Sequence, residues 1–251
     1  MSVLTINDLG MNFSGFQALD GISLTLQEGE RHAILGPNGA GKTTFFNCLT
    51  GQIIPTRGVV SYKGRRITGL SPSRIVRRGI GRSFQRINIY PQMSVFENVQ
   101  VAMIAHKGMS FRLFRKAEAL FREETLQMLE LVNLTEDETV TAGLMSYGKQ
   151  KQLELAIALC SEPELLLLDE PTAGMSPQET LDSIALIADI AEQRQLTLLF
   201  TEHDMHVVFT IADRISVLHH GELVASGTPQ EIRANDDVRR IYLGGYADDA
   251  A

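Results

Sequence analysis

An α/β fold is what this sequence predicts: a parallel sheet covered on both faces, with a helical segment inserted into it. Three observations carry that reading. The run LLLL at 165–168 is apolar without alternation, as a strand covered by helices on each side must be. Residues 31–50 read strand, Gly-rich loop, helix. Residues 90–160 are helix-rich with no clear strand, so they interrupt the α/β pattern.

Strand-like stretches fall at residues 3–7, 22–26, 31–35, 59–62, 164–168, 196–200 and 214–219. SPQE opens a helix over 176–193, with Ser176 as N-cap, Pro177 at the first helical position and Glu179 closing a capping box. TPQE (228–231) repeats the device, and SPSR (71–74) repeats only the cap and the proline. ISVLHHGELVASG reads as a hairpin turning near Gly221. Within the insert, FRLFRKAEALFREETLQMLELV carries Phe114, Ala117, Leu120 and Phe121 at helical spacing. MSYGKQKQLELAIAL (145–159) begins an amphipathic helix with Leu153, Ala156, Ile157 and Cys160 on one face. The terminal YADDAA is expected to fray.

The chain's 251 residues suffice for one large domain, or a core domain with an inserted subdomain, and 44% apolar content supports a sizeable core. A net charge of −7 argues against nucleic acid as the main partner, since phosphate backbones demand a basic surface. Cys48 and Cys160 both fall in helical apolar patterns and read as buried free thiols. No charged stretch followed by an apolar run opens the chain, so no signal peptide is expected. The longest apolar runs are strand-length, too short to span a bilayer. These features predict a soluble protein of a reducing compartment. One local bias stands out: nine Lys and Arg and no Asp or Glu between Arg57 and Arg86. It reads either as a solvated surface near a polyphosphate site or as a docking surface for a membrane partner or acidic lipid.

GPNGAGKTT (36–44) fits the phosphate-loop pattern and stands between a strand and a helix, the context that gives the pattern meaning. Gly36, Gly39 and Gly41 let backbone N–H groups face phosphate oxygens, Lys42 supplies a point charge for the β- and γ-phosphates, and Thr43 offers a hydroxyl to Mg²⁺. Asp169 ends the LLLL strand, where open α/β sheets place their ligands, and a carboxylate there can hold Mg²⁺ through water. Glu170 follows, suited to orienting and deprotonating an attacking water. His203 stands at the carboxyl end of another core strand, within reach of a γ-phosphate. Gln85, in RSFQR, is an amide able to ligate Mg²⁺.

Taken together, these motifs resemble those of the ATP-binding-cassette (ABC) ATPases over nearly the whole chain. The phosphate loop contributes Gly36, Pro37, Asn38, Gly39, Ala40, Gly41, Lys42, Thr43 and Thr44, the Q-loop is SFQ with Gln85, and the signature is MSYGKQ. The D-loop is AGMS (173–176), and His203 is the switch histidine. Phe13 resembles the aromatic that stacks on adenine, with Phe16 its rival. The resemblance implies a phosphate-loop NTPase core over 1–85 and 161–245 with an N-terminal antiparallel β subdomain, and a helical insert over 86–160. It implies ATP and Mg²⁺ as cofactors, with Thr43, Gln85 and Asp169 on the metal. It also answers why a second anion-type helix start lies at Ser146. In this family two cassettes pair head to tail, and Ser146, Tyr147, Gly148 and Lys149 would complete a neighbour's ATP site. The signature departs from the family's commonest form at Met145, Tyr147 and Lys149; the last either contacts phosphate or ribose oxygens across the dimer or points to water. Ser176 replaces the usual acidic or Asn residue of the D-loop.

Within the family the best likeness is to ATPases of branched-chain amino-acid importers, carried by IGRSFQRINIYPQMSVFENVQVA, LLLLDEPTAGMSPQET, TEHDMHVVFTIADRISVLHHGELVASGTPQEIR and the ending VRRIYLGG. It implies a bacterial importer with an identical or paralogous ATPase partner, two membrane permease subunits and an extracytoplasmic binding protein, the chain lying on the cytoplasmic face of the inner membrane. Importers of urea, short amides or aromatic and other organic acids, a lipopolysaccharide-type exporter and a soluble cassette ATPase are the alternatives.

Overall fold

The computed structural model describes residues 1–83, 88–108 and 120–248. Its centre is β7 (Leu165–Asp169), buried at every residue. Successive side chains of a strand point to opposite faces. Accordingly Leu165 and Leu167 join one hydrophobic core, and Leu166 and Leu168 the other. β7 belongs to a six-stranded sheet ordered β10-β9-β3-β8-β7-β6, with β6 (Ile80–Arg82), β3 (Arg31–Leu35), β8 (Thr197–Glu202) and β9 (Arg214–His219) parallel to it. β10 (Glu222–Gly227) adds an antiparallel edge through a two-residue turn at His220 and Gly221, both at positive φ.

A second, antiparallel sheet runs β2-β1-β4-β5, with β1 (Ser2–Phe13), β2 (Phe16–Gln27), β4 (Arg57–Tyr62) and β5 (Arg65–Arg66). It packs with α1 (Lys42–Leu49) over the face that presents Ile34, Leu165, Leu167 and Leu199. All seven expected strands are present. β1 and β2 are far longer than expected because their bulged register interrupts the alternation that would have marked their ends. β5 and β6 were not foreseen; at two and three residues they carry no periodicity to read.

The other sheet face buries Ala33, Leu35, Leu198 and Phe200 against helices. These are α3 (Val95–His106), α4 (Arg122–Leu131), α5 (Tyr147–Leu159), α6 (Pro177–Arg194) and α7 (Met205–Ile211), so the inserted helices share their core with the sheet. α6 begins on the expected capping box of Ser176 and Glu179, and α8 (Pro229–Ala234) on that of Thr228 and Glu231. α2 (Pro72–Val76) starts behind Ser71 without a side-chain cap bond. α3 has a capping box of its own, Ser94 with Glu97, that the sequence reading passed over.

Three expectations need correction. Leu120 and Phe121 form a turn, not a helix face: Phe121 has φ 55 and α4 starts after it. Phe114 and Ala117 lie outside the described residues. α5 is buried on more than one face, because Lys151 and Glu154 are enclosed with Leu153 and Ala156 and pair at 3.3 Å, while Ile157 is half-buried. Of the terminal YADDAA, expected to fray, Tyr246 to Asp248 continue α9 (Asp236–Asp248), and residues 249–251 lie outside the described residues. Cys48 and Cys160 are buried free thiols, as expected; burial raises them to about 11 and about 12. Of the basic run, Arg57 pairs with Asp8 and Asp20, Lys63 with Glu164 and Arg82 with Asp169, whereas Arg65, Arg66, Arg74, Arg77 and Arg78 are exposed. Among the described residues no helix is long and apolar enough to cross a membrane.

Candidate functional site

β3 runs into the loop 36–41, and the loop into α1. The loop lies so close to its neighbours that two glycines are required. A Cβ on Gly36 would stand 2.3 Å from the Leu218 carbonyl oxygen. Gly41, at φ 107, would put one 2.8 Å from that of Ala18. The first N–H groups of α1 have no partner inside the helix, and they sit at its positive end. Lys42 is buried, and its ammonium donates to the carbonyls of Gly36 at 2.7 Å and Pro37 at 3.3 Å. The same nitrogen lies 3.6 Å from Glu170 Oε1.

A cleft of about 360 Å³ opens here, lined by residues 37–44 together with Phe16, Ala18 and Glu170. The structure thus brings Pro37, Asn38, Gly39, Ala40, Gly41, Lys42, Thr43 and Thr44 to one surface with a carboxylate. It brings Phe16 rather than Phe13. The two face each other across the β1–β2 turn at Ser14 and Gly15, and only Phe16 lines the cleft. A cleft of about 740 Å³ beside Arg31, Glu164, Thr197 and Asp213 has none of the phosphate-loop residues in its wall. It lies at the amino ends of β3 and β8, away from where open α/β sheets place their ligands.

Asp169 ends β7 almost fully buried. One of its oxygens accepts from Arg82 at 3.0 Å, the other from the Thr201 hydroxyl at 2.8 Å. Arg82 also donates to Asn47 and to Thr50, at 2.8 Å each. Burial pulls the Arg82 guanidinium below its ordinary range, and the charge of Asp169 opposes that. Glu170 has φ 49, and its N–H donates to Thr201. Beside them, Glu202 ends β8 fully buried. Its Oε1 accepts from the Thr172 N–H at 3.1 Å and the Thr172 hydroxyl at 2.7 Å, its Oε2 from the His203 N–H at 3.3 Å. Burial pushes the Glu202 carboxyl up, with the Thr172 bonds and His203 offsetting part of the rise. The His203 ring is over half exposed, with Nδ1 3.8 Å from Glu202 Oε2. Gln85 lies outside the described residues.

Ser146 caps α5 and accepts from the Lys149 N–H at 3.4 Å. None of residues 146–149 lines the cleft. Tyr147 stacks toward the D-loop, its Cε1 3.3 Å from where a Cβ would stand on Gly174. The Lys149 side chain is about half exposed, and its ammonium meets both oxygens of Asp137 at 2.8 Å. Gly148 faces Glu179 at the start of α6, whose Oε1 lies 2.7 Å from where a Cβ would stand on it. The sequence reading missed Arg82, Thr201 and Glu202. The only signal for them was polar side chains within or ending otherwise apolar strands.

The family model for ABC transporters matches residues 19–173, and that for branched-chain amino acid ATP-binding cassette transporters matches residues 222–248. The high-affinity branched-chain amino acid transport ATP-binding protein BraF of Pseudomonas aeruginosa is 41% identical over 249 residues, covering 96% of this chain and 98% of its own. LivG of Salmonella typhimurium, of the same description, is 41% identical over 251 residues with the same coverage. Among solved structures, the nucleotide-free ATP-binding cassette of an ABC transporter superposes with a TM-score of 0.86 at 27% identity, covering 96% of this chain and 99% of that one. The ADP conformation of MJ1267, an ATP-binding cassette of an ABC transporter, gives 0.86 at 28%, with 97% and 99% covered.

Proposed function

The chain belongs to the ABC transporter family of ATP-binding cassettes, and from that premise we propose that it is the ATP-hydrolysing subunit of a bacterial importer for branched-chain or related amino acids. The observation that carries the ATPase reading is the convergence of Lys42 and Glu170, 3.6 Å apart, on one cleft. The solute rests on the relatives and on the match at residues 222–248.

In this reading the N–H groups of the loop and of α1 cradle the phosphates. Lys42 exchanges its carbonyl partners for phosphate oxygens. Glu170, at the wall of the cleft, takes the proton of the attacking water, and His203, exposed at the end of β8, contacts the γ-phosphate. Phe16 stacks on adenine in preference to Phe13. Thr43, Asp169 and Gln85 are assigned to Mg²⁺. The donors are hard oxygens, and among the described residues no group of three His, Cys, Asp or Glu forms a cage of its own. That suits an ion that keeps waters and shares substrate phosphates. When bound, Mg²⁺ would neutralise phosphate charge. Ser146, Tyr147 and Gly148 serve the ATP of a second cassette, identical or paralogous, while Lys149 stays with Asp137. The pair works on the cytoplasmic face of the inner membrane against two permease subunits, which an extracytoplasmic binding protein loads.

Glu170→Gln tests the chemistry. It should bind MgATP, turn over about 10²–10⁴-fold more slowly, and shift toward dimer on sizing with ATP; near-normal hydrolysis would remove Glu170 from the role. Deleting the gene and following uptake of labelled leucine, isoleucine and valine tests the solute. Unchanged uptake, with loss of urea, amide or organic-acid uptake instead, would transfer the subunit to those importers.

A further inference from the structure

Between Arg57 and Arg86 the chain has nine basic residues and no acidic one. Three of them are paired: Arg57 with Asp8 and Asp20, Lys63 with Glu164, and Arg82 with Asp169. Arg86 lies outside the described residues. Arg65, Arg66, Arg74, Arg77 and Arg78 are exposed, and among the described residues none of the five has an ion-pair partner.

The fold gathers these five into one patch. β5 is the outer strand of the antiparallel sheet and β6 the outer strand of the parallel one. The Arg78 guanidinium donates to the Arg66 carbonyl at 3.2 Å, so the residues that follow α2 meet β5 directly. Ile67 and Ile75 are buried in one core, with Leu70 packed against it. The arginines keep to the solvent side, and Val76 is exposed among them. Glu164, the acid beside Gly79, is held by Lys63. The nucleotide does not account for this patch. α2 leads into the amino end of β6, whereas the phosphate loop leaves the carboxyl end of β3, a parallel strand of the same sheet. None of the five arginines lines either cleft. Five long side chains spread over a strand and a helix suit a diffuse field of anions rather than one bound phosphate.

We propose that this patch rests on the anionic phospholipid headgroups of the leaflet at which the chain works. The proposal depends on the reading above that the chain acts at the cytoplasmic face of a membrane. That leaflet carries a negative surface potential, to which Lys and Arg near the surface are drawn. Cytoplasmic loops of membrane proteins are themselves rich in Lys and Arg. A permease's inner surface therefore has the wrong sign for the patch, and the lipid has the right one. Val76 suits the same boundary, where apolar side chains reach past the headgroups. The chain as a whole carries a net charge of −7, so an anionic surface repels it except where the patch faces that surface. The lipid thus orients the chain as well as holding it.

The test is flotation of the full chain with vesicles of phosphatidylcholine alone, or mixed with an equal part of phosphatidylglycerol, at low and at physiological salt. The chain should float with the mixed vesicles only, and salt should release it, because screening shortens the reach of the attraction. Arg74→Gln, Arg77→Gln and Arg78→Gln together should weaken binding about a hundredfold, at roughly fivefold per arginine. Lysine at the same three positions should bind as the parent does, since a diffuse field reads charge and not guanidinium geometry. Arg239→Gln with Arg240→Gln removes charge from exposed sites on α9 and should leave binding unchanged. Equal binding to both vesicles, binding indifferent to salt, or a glutamine triple that binds as the parent overturns the proposal. So does a loss from the α9 pair equal to that from the triple, which would trace binding to net charge alone. If the parent ignores both vesicles and the triple no longer co-purifies with the permease in detergent, the patch belongs to an acidic protein segment and the lipid falls. Vesicle binding that fails while amino-acid uptake depends on the gene leaves the importer reading standing without this patch. Uptake that is unchanged while patch-dependent binding holds removes the importer reading and keeps the lipid contact.

Discussion

Glu202 is a buried carboxylate that holds two loops of the site at once, and its removal has a calculable cost. Both bonds from Thr172 end on Oε1, whereas the His203 N–H ends on Oε2. Glu202→Ala strands the Thr172 N–H, worth about 1–3 kcal/mol for a buried donor left unpaired. It also opens a cavity in a fully buried position, with a cost of similar size. The expected loss is about 3–5 kcal/mol. Glu202→Gln can keep its carbonyl oxygen toward Thr172 and turn its NH₂ toward the His203 N–H. It mismatches one donor and relieves a buried charge, a net loss of about 1 kcal/mol. Urea unfolding of both variants measures this, with the slope checked for constancy. The pH dependence gives a second reading. Burial raises the Glu202 carboxyl in the fold, so the folded state binds that proton more tightly than the unfolded chain. This group's contribution is full below the ordinary carboxylate pKa and is lost as pH rises through its raised folded value. Glu202→Gln should remove that slope. An alanine variant within 0.5 kcal/mol of the parent, or a glutamine variant as damaged as alanine, would refute the account (both margins being of the order of one weak bond).

Lys42→Ala and Ser146→Arg should each abolish hydrolysis, and mixing them should restore part of it, because one site of the mixed dimer carries neither lesion; full activity of a monomer at nanomolar concentration would contradict pairing. Tyr90 is exposed while its backbone is clamped by Asn98, at 2.7 and 3.0 Å, and Ile89, Met93 and Phe96 beside it are half-buried. Tyr90→Glu should therefore leave fold and ATP binding intact but uncouple the chain from its membrane subunits, read as loss of solute-stimulated ATPase in reconstituted vesicles. Arg82→Leu leaves the Asp169 carboxylate without its ion-pair partner and should cost about 3–5 kcal/mol; MgATP should stabilise this variant more than the parent in thermal unfolding, and equal stabilisation would dismiss Arg82 as a competitor for Asp169.

What was legible in the sequence was chemistry that is local. The phosphate loop needs its glycines and lysine within nine consecutive residues, and the caps at Ser176 and Thr228 close within four. The buried strand before Asp169 announces itself by four leucines. What was not legible has partners far along the chain. Arg82 meets Asp169 across 87 positions, and Thr172 meets Glu202 across 30. No spacing rule reaches that far, and Arg82 sits on a strand of three residues. Phe13 and Phe16 were equivalent in sequence; the turn at Ser14 and Gly15 sets them opposite one another, and only Phe16 meets the cleft. The ion pair of Lys149 with Asp137 was not legible, because Asp137 precedes it by 12 residues, beyond helical reach.

The internal contacts of the site share a cause. Buried polar groups are paired in a folded protein, since leaving one unpaired costs more than most single bonds contribute. Lys42 therefore rests on the Gly36 and Pro37 carbonyls, and Asp169 on Arg82 and Thr201. Both of these charged groups have partners inside the chain. Binding ATP is then an exchange of partners, and its net free energy is the difference between two satisfied arrangements rather than the sum of new bonds. The internal partners also lie on different elements: Gly36 after β3, Arg82 on β6, Thr201 on β8. An exchange at each of them would act on a different part of the fold, β6 against β7 among them. A cassette whose phosphate ligands were pre-cleared of internal partners would bind ATP more tightly and would have less reason to change shape when it did.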